Sequence, residues 1–417
     1  MSINGTENHG VNDDSESKVL TPEEVVSLAQ KIANDPSVRV LDYCIDDYSK
    51  EKIGFTGTHN SLKLTFQRSQ TDSSETVHTF IKSIPVYNAD TSDSLLYTPI
   101  LMQESFFFEK IFPELTHNYK SEKWCPTYYL TTKNALVIEN LKFSGYRMLD
   151  ELYDNPVVLK SVLASLARFH SGSILTEARL SRQYKHPVML NEHFKDSISE
   201  LMFNPEGDKV HWYNCGVNLA CSLAERLGYD PEQIRNVFNR VYDMIKPSNN
   251  YRNVICHGDL HIYNVMFADN PPLYKSILVD FQLIRYAPMV TDVLQFLHLN
   301  ASRKFREERE LELIAYYHSI MVETIKIHDS TIAPPTLESI LKDFKDLRVF
   351  GLIVACIYMP LSFLHSKHAI DLVENSKSVF NFIFGDRLEL VLAHMKVDES
   401  YRNLVEAAII ELAEKTI

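Results

Sequence analysis

Two stretches hold residues whose types and order suit the handling of phosphate. In Val254-Ile-Cys-His257-Gly258-Asp259-Leu-His261-Ile-Tyr-Asn264-Val-Met-Phe267, an Asp and an Asn stand five residues apart between two short apolar runs. Sixteen residues later comes Ile277-Leu-Val-Asp280-Phe281-Gln282. Phosphoryl transfer asks little covalent chemistry of a protein: an Asp beside the attacking hydroxyl and hard oxygen ligands for magnesium on the phosphates cover much of the requirement. Asp259, Asn264 and Asp280 carry those chemistries in that order, and they are the expected catalytic set, with Asn264 and Asp280 as metal ligands. Asp and Asn also cap turns and end strands, which is the plainer reading of each residue alone. The spacing and the flanking apolar runs favour the chemical reading for the three together.

Partners for such a set are present earlier in the chain. By period-two counting Lys82 shares a strand face with Phe80 and Ile84, so its stem packs while its ammonium reaches toward phosphate oxygens. Glu104 lies at helical spacing from Ile100, Phe108 and Ile111, a carboxylate on an apolar stripe that calls for a cation, and Lys82 is the candidate. Gly54, Gly57 and Thr58 lie among small and hydroxyl-bearing residues ahead of a strand, where backbone amides can approach phosphates, although two glycines also suit an ordinary turn. After the run Leu136-Val-Ile138, the residues Glu139, Asn140 and Leu141 are the expected crossing point between two lobes, with backbone groups placed to bond an adenine.

These residues need elements to hold them. At 417 residues the chain exceeds the roughly 250–300 at which one core stops growing, so two lobes with a cleft between them are expected. Thr21, Pro22, Glu23 and Glu24 start a helix with a capping box. Alternation through Leu62, Leu64 and Phe66, again from Val77 to Ile84, and the run Ala135 to Ile138 predict an antiparallel sheet interrupted by one helix. From Pro156 the pattern becomes helical, as it does again across Leu311–Ile327 and Leu388–Met395. Short strands are expected at Asn253–Cys256, Val265–Phe267 and Ser276–Val279. The predicted division is a disordered tail over 1–20, a nucleotide-binding lobe over 21–142, and a catalytic and substrate-binding lobe over 143–417.

Composition narrows the class. A net charge of −13 argues against a nucleic-acid partner, which would call for basic patches. The six cysteines form no zinc-like pairs and read as free thiols in a reducing compartment. The polar first eighteen residues lack the apolar segment of a secretion signal, and the stretch Val349–Leu364 is too short for a membrane span and reads as a buried helix. The expected address is the cytoplasm.

Taken together, the chain resembles the ecdysteroid kinase-like family, also described as choline-kinase-like, within the aminoglycoside phosphotransferase and protein-kinase-like fold. The matching stretches are Phe80-Ile-Lys82-Ser-Ile-Pro85, Glu104 nine residues before Pro113, Val137-Ile-Glu139-Asn-Leu141, Leu166-Ala-Arg-Phe-His170, His257-Gly-Asp259 through Asn264, and Val279-Asp280-Phe-Gln282 through Asp292. The Asp-x4-Asn spacing followed by a further Asp is that of a kinase catalytic loop and its metal ligand. The resemblance implies an α+β bilobal fold, with a small antiparallel-sheet N-lobe and a larger, mainly helical C-lobe. It also implies ATP and Mg2+ as cofactors and a small hydroxylated acceptor, an ecdysteroid or another small alcohol. By it Asp259 is the catalytic base, Asn264 and Asp280 hold magnesium, Lys82 binds phosphate with Glu104 as its ion-pair partner, and Glu139–Leu141 form the hinge. Two departures stand out: Ile-Tyr precedes Asn264, and no strongly glycine-rich loop is present. A protein kinase fits less well, since neither an HRD arginine nor an APE element is found.

Other readings compete. Gly258-Asp259-Leu-His261 matches a GDxH metal-ligand pattern of metal-dependent phosphoesterases, but only Gly385-Asp386-Arg387 echoes the further motifs. The weak glycine loop leaves room for a nucleotide-binding pseudokinase. His170 reads as a packing histidine, His257 as a brace for the catalytic loop, and Asp292 as a cap or loop anchor. Trp212, Tyr213, Tyr316 and Tyr317 read as core.

Overall fold

The computed structural model describes residues 19–49, 58–69, 73–83, 99–100, 102–149, 154–207, 210–268, 274–364 and 385–417. Gly54, Gly57, Ile84 and the tail up to Lys18 lie outside the described residues.

The first helix, Pro22–Ala33, begins at the expected capping box: the amide of Glu24 donates to Thr21 Oγ1 at 3.2 Å, and the amide of Thr21 donates to Glu24 Oε2 at 2.8 Å. Its buried face, Val25, Leu28, Ala29 and Ala33, joins Leu20 against one side of a sheet. That sheet has five antiparallel strands, β1 (Arg39–Asp47), β2 (Thr58–Gln67), β3 (Ser74–Ser83), β4 (Tyr128–Thr131) and β5 (Ala135–Glu139), in the order β1-β2-β3-β5-β4. Leu62, Leu64 and Phe66 of β2 are fully buried at alternate positions with Ile81 of β3, as period two requires. Residues 74–83 therefore turn Ile81 to the first helix and Phe80 with Lys82 to the other face, where Phe80 meets the larger core.

Between β3 and β4 runs the expected helix. Residues 102–106 are helical, a π-turn follows over Phe107–Ile111, and the helix closes with Phe112–Leu115. Glu104, Phe108 and Ile111 are all buried on it.

The rest of the described chain is dominated by helices around a second and larger core. The helix Pro156–Tyr184, capped by Asn155, lies along Arg303–His328, and the helices Val290–Asn300 and Arg348–Ser362 are buried along most or all of their length. No helix among the described residues is long and apolar enough to cross a membrane. Two small antiparallel ladders lie within this part. β7 (Asn253–Cys256) pairs with β10 (Arg285–Pro288), and β8 (Val265–Ala268) pairs with β9 (Lys275–Leu278) and with β6 (Tyr146–Arg147). The α+β fold expected from the sequence, an antiparallel sheet followed by a larger helical part, is the fold observed.

Candidate active site

The two ladders bring distant loops side by side. Cys256 pairs with Arg285 and Val265 with Leu278, so residues 257–264 and 279–284 leave neighbouring strand ends together. The amide of Val279 donates to Asn264 O at 3.0 Å, and His257 Nε2 bonds Val279 O at 3.0 Å. His257 Nδ1 accepts from the amide of Asp259 at 3.3 Å, which makes Nε2 the protonated nitrogen. Burial holds its pKa below the ordinary value, so the ring is a neutral brace between the two loops.

The 257–264 loop is tied to the helical core by one carboxylate. Asp292, in the first turn of Val290–Asn300, accepts from the amide of His257 at 2.5 Å and from the amide of Gly258 at 3.0 Å. Its Oδ2 also meets His170 Nε2 at 3.1 Å, while His170 Nδ1 meets the Tyr317 hydroxyl at 2.7 Å. Burial opposes the charge of Asp292, but the hydrogen bond from His170 and the nearby donors prevail and hold its carboxyl below the usual range. Asp292 is thus the loop anchor. Gly258 has a φ of +79°, and a Cβ there would lie 1.9 Å from the Leu283 carbonyl oxygen, so glycine is required on both counts.

Asp259 and Asn264 meet across this loop. Asn264 Nδ2 donates to Asp259 O at 2.8 Å and to Asp259 Oδ2 at 3.2 Å, which turns the Asn264 carbonyl oxygen away from Asp259. Burial, and then the like charge of Asp280, push the Asp259 carboxyl up to about 8, against the opposing pull of Asn264, Arg285 and Lys82.

Lys82 arrives from β3 and Glu104 from the helix that follows. Lys82 Nζ lies 2.6 Å from Glu104 Oε2 and 2.5 Å from Asp280 Oδ1, and Glu104 Oε1 accepts the amide of Phe281 at 3.1 Å. Lys82 and Glu104 are buried, whereas the Asp280 side chain keeps 26% of its surface. Burial alone would drive the Lys82 ammonium down, yet Asp280 and Glu104 together hold it above its ordinary range. Asp280 itself has a φ of +68°, an uncommon conformation for a residue with a side chain. Phe281 behind it is fully buried and stacks on Phe107 at 4.3 Å.

The expected crossing residues divide their roles. The Glu139 carboxylate accepts from the Thr127 amide at 3.0 Å, the Thr127 hydroxyl at 2.9 Å, the Ser144 hydroxyl at 2.7 Å and Lys123 Nζ. Burial works against that charge, but Lys123, Thr127 and Ser144 outweigh it and hold the carboxyl down to about 2. Asn140 is buried and donates to Ser61 Oγ at 3.1 Å, and Leu141 is buried with Met266 and Ile277. Both of the first two side chains are engaged within the protein. Thr58 opens β2 opposite Ser83.

Several contacts escaped the sequence. Arg285 is buried, pairs with Glu200 at 3.0 Å through Nη1, and donates through Nη2 to Gly258 O. Its only trace is a charge within the apolar run Leu283-Ile-Arg-Tyr-Ala287. Gln103, whose Nε2 donates to the Ile284 carbonyl at 2.8 Å, left no signal at all. Among the described residues, the one compact group of three His, Cys, Asp or Glu ligands is His170, Cys256 and Asp292. It excludes Asp259, and its Asp292 is already committed to the loop. Asp386 accepts from the Leu388 amide at 3.0 Å as a turn residue. Trp212, Tyr213 and Tyr317 are core, as expected, whereas Tyr316 is half-buried outside the core with Lys160 over its ring.

No curated protein matches the chain. Among solved structures, Plasmodium vivax ethanolamine kinase matches at 13% identity over 93% of each chain with a TM-score of 0.37. A putative aminoglycoside phosphotransferase from Ralstonia eutropha matches at 11% identity over 94% of this chain and 98% of its own, with a TM-score of 0.43. The model of the ecdysteroid kinase-like family matches residues 54–329, a span that contains every one of the contacts among Lys82, Glu104, Asp259, Asn264 and Asp280. The chain belongs to the ecdysteroid kinase-like family.

Proposed function

We propose that this protein is a small-molecule kinase that transfers the γ-phosphate of ATP to a hydroxyl of a small alcohol, an ecdysteroid being the first candidate from its family. The observation that carries the reading is the convergence of three elements: Lys82 of β3 is 2.5 Å from Asp280, and Asp259 is held by Asn264 in the adjoining loop. In this reading Asp259 orients the acceptor hydroxyl and takes its proton, which its carboxylate does best near the pH at which it ionises. Lys82, positioned by Glu104, faces the phosphates. The backbone of Glu139–Leu141 contacts the adenine, and Gly54, Gly57 and Thr58 approach the phosphates. The lobes divide near residue 142.

Magnesium fits the residues present. The charge of Asp280 adds to the cost of ionising Asp259, which a divalent cation would relieve, and the side-chain carbonyl oxygen of Asn264 is turned away from Asp259. Asp280 and Asn264 would hold it, and when bound it would neutralise charge on the transferring phosphate. None of the six cysteines, all of which are described, is in a disulfide, in keeping with a reducing, cytoplasmic address.

Purified protein with magnesium, ATP and a panel of ecdysteroids, choline, ethanolamine and phenolic alcohols, read by mass spectrometry, tests the proposal. A phosphorylated alcohol is expected, with the product lost in Asp259→Ala while ATP still binds. Phosphate release from monoesters without ATP would favour a phosphoesterase, and ATP binding with no product from any acceptor would favour a pseudokinase.

A further inference from the structure

Gln103 immediately precedes Glu104 and is 4% exposed, yet no part of the proposed chemistry uses it. Its amide satisfies three bonds across three elements. Nε2 donates to the Ile284 carbonyl at 2.8 Å, while Oε1 accepts from the Ser199 hydroxyl at 3.0 Å and from the Ser199 amide at 3.3 Å. One residue later Glu104 accepts the amide of Phe281 and binds Lys82. Two successive side chains of one helical turn therefore grip both ends of the segment 281–284 that follows Asp280. The Ser199 end leads elsewhere. Its neighbour Glu200 lines a cavity of about 340 Å3 with Phe203, Tyr242, Lys246 and Arg285, and the same Glu200 pairs with the Arg285 that donates to Gly258 O beside Asp259.

We propose that Gln103 is a positioning residue that ties the wall of this cavity, through Ser199, to the Lys82–Glu104–Asp280 cluster and so sets where Asp280 stands relative to Asp259. Removing the Gln103 amide leaves the Ile284 carbonyl buried without its donor, which costs more than the bond it made, whereas the exposed Ser199 can turn to water. The Ile284 end of the tether is therefore costly to release, and it is the end that holds the segment after Asp280. Small displacements of a reacting group cost turnover far more than they cost ligand affinity. The kinetic part of this inference rests on the kinase reading; the tether itself does not.

The experiment compares wild type with Gln103→Leu, Ser199→Ala and the double variant, in two measurements. Hydrogen exchange without ligand reads the tether: the Phe281 amide is expected to exchange on the order of tenfold faster in Gln103→Leu, with protection elsewhere in the helical part retained. Turnover of magnesium–ATP with ecdysone reads the consequence: kcat falls on the order of tenfold or more while KM for ATP stays within about twofold. Ser199→Ala gives a smaller fall, since the Ser199 amide still donates, and adds nothing in the Gln103→Leu background. Should Gln103→Leu not fold, Gln103→Glu keeps the acceptor for Ser199 and sets a carboxylate oxygen against Ile284 O, so exchange at Phe281 must still rise. Unchanged exchange at Phe281 in every variant that folds would overturn the proposal, as would a kcat loss accompanied by additive effects of the two substitutions. If wild type turns over no acceptor, the kinase reading fails and exchange alone judges the tether.

Discussion

Lys82 and Asp280 stand 198 residues apart in sequence and 2.5 Å apart in space, with Glu104 on the same ammonium. One cation thus serves two carboxylates in a setting where Lys82 and Glu104 are nearly inaccessible to water. The cluster is stable only while that cation is present, because desolvated carboxylates are costly to leave unpaired.

Lys82→Met is therefore expected to lose about 3–5 kcal/mol of stability as well as turnover, since it strands Glu104 beside Asp280. Adding Glu104→Gln to the same chain should recover much of the stability and none of the activity. Urea denaturation alongside ATP turnover separates the two. Equal stability of Lys82→Met and wild type would contradict a structural share for the pair.

Asp259 makes stability depend on pH in a definite direction. Its carboxyl is raised to about 8 in the folded protein, so the folded state holds a proton that the unfolded chain has already released. The contribution is fully present below the ordinary aspartate range and is lost as pH rises through about 8. Asp259→Asn, which can still accept from Asn264, should thus melt higher than wild type, and the gap should widen from acid to mildly alkaline pH. A gap that narrows with rising pH would sink the assignment.

Turnover should follow the same ionisation from the other side. In the proposed reaction Asp259 takes a proton as its carboxylate, so kcat/KM, which reports the free protein, should climb as pH approaches about 8. Bound magnesium at Asp280 would offset the like charge, which moves the inflection in kcat to lower pH than that in kcat/KM. A pH–rate series on both parameters checks the order.

Gly258→Ala places a Cβ 1.9 Å from Leu283 O at a backbone angle that side chains rarely adopt. The expected cost exceeds about 3 kcal/mol, with turnover lost in whatever remains folded. Thermal unfolding of this variant near the wild-type temperature would mean that the loop relaxes freely.

Much of this was readable in the sequence where the cause is local. Leu62, Leu64 and Phe66 alternate because one face of β2 is buried, and Glu104 on an apolar stripe already demanded a cation. The three short strands around Asp259 and Asp280 were legible for the same reason, as apolar runs ending in polar groups. β1 was not, because it is exposed along most of its length and carries no alternation to read. Gln103 was invisible because its partner Ile284 lies 181 residues away, and nothing about a glutamine in a helix announces a distant carbonyl. Arg285 shows the same limit: a charge in an apolar run signals that a partner exists without saying that it is Glu200.

The triple role of Asp292 bears on how relatives of this chain should be judged. It accepts two consecutive amides ahead of Asp259 and a histidine from the long helix, yet touches none of the groups proposed to react. A relative could keep Asp259, Asn264, Asp280, Lys82 and Glu104 letter for letter and still be inert for want of this one carboxylate. Competence in such a chain is better judged on six positions than on five.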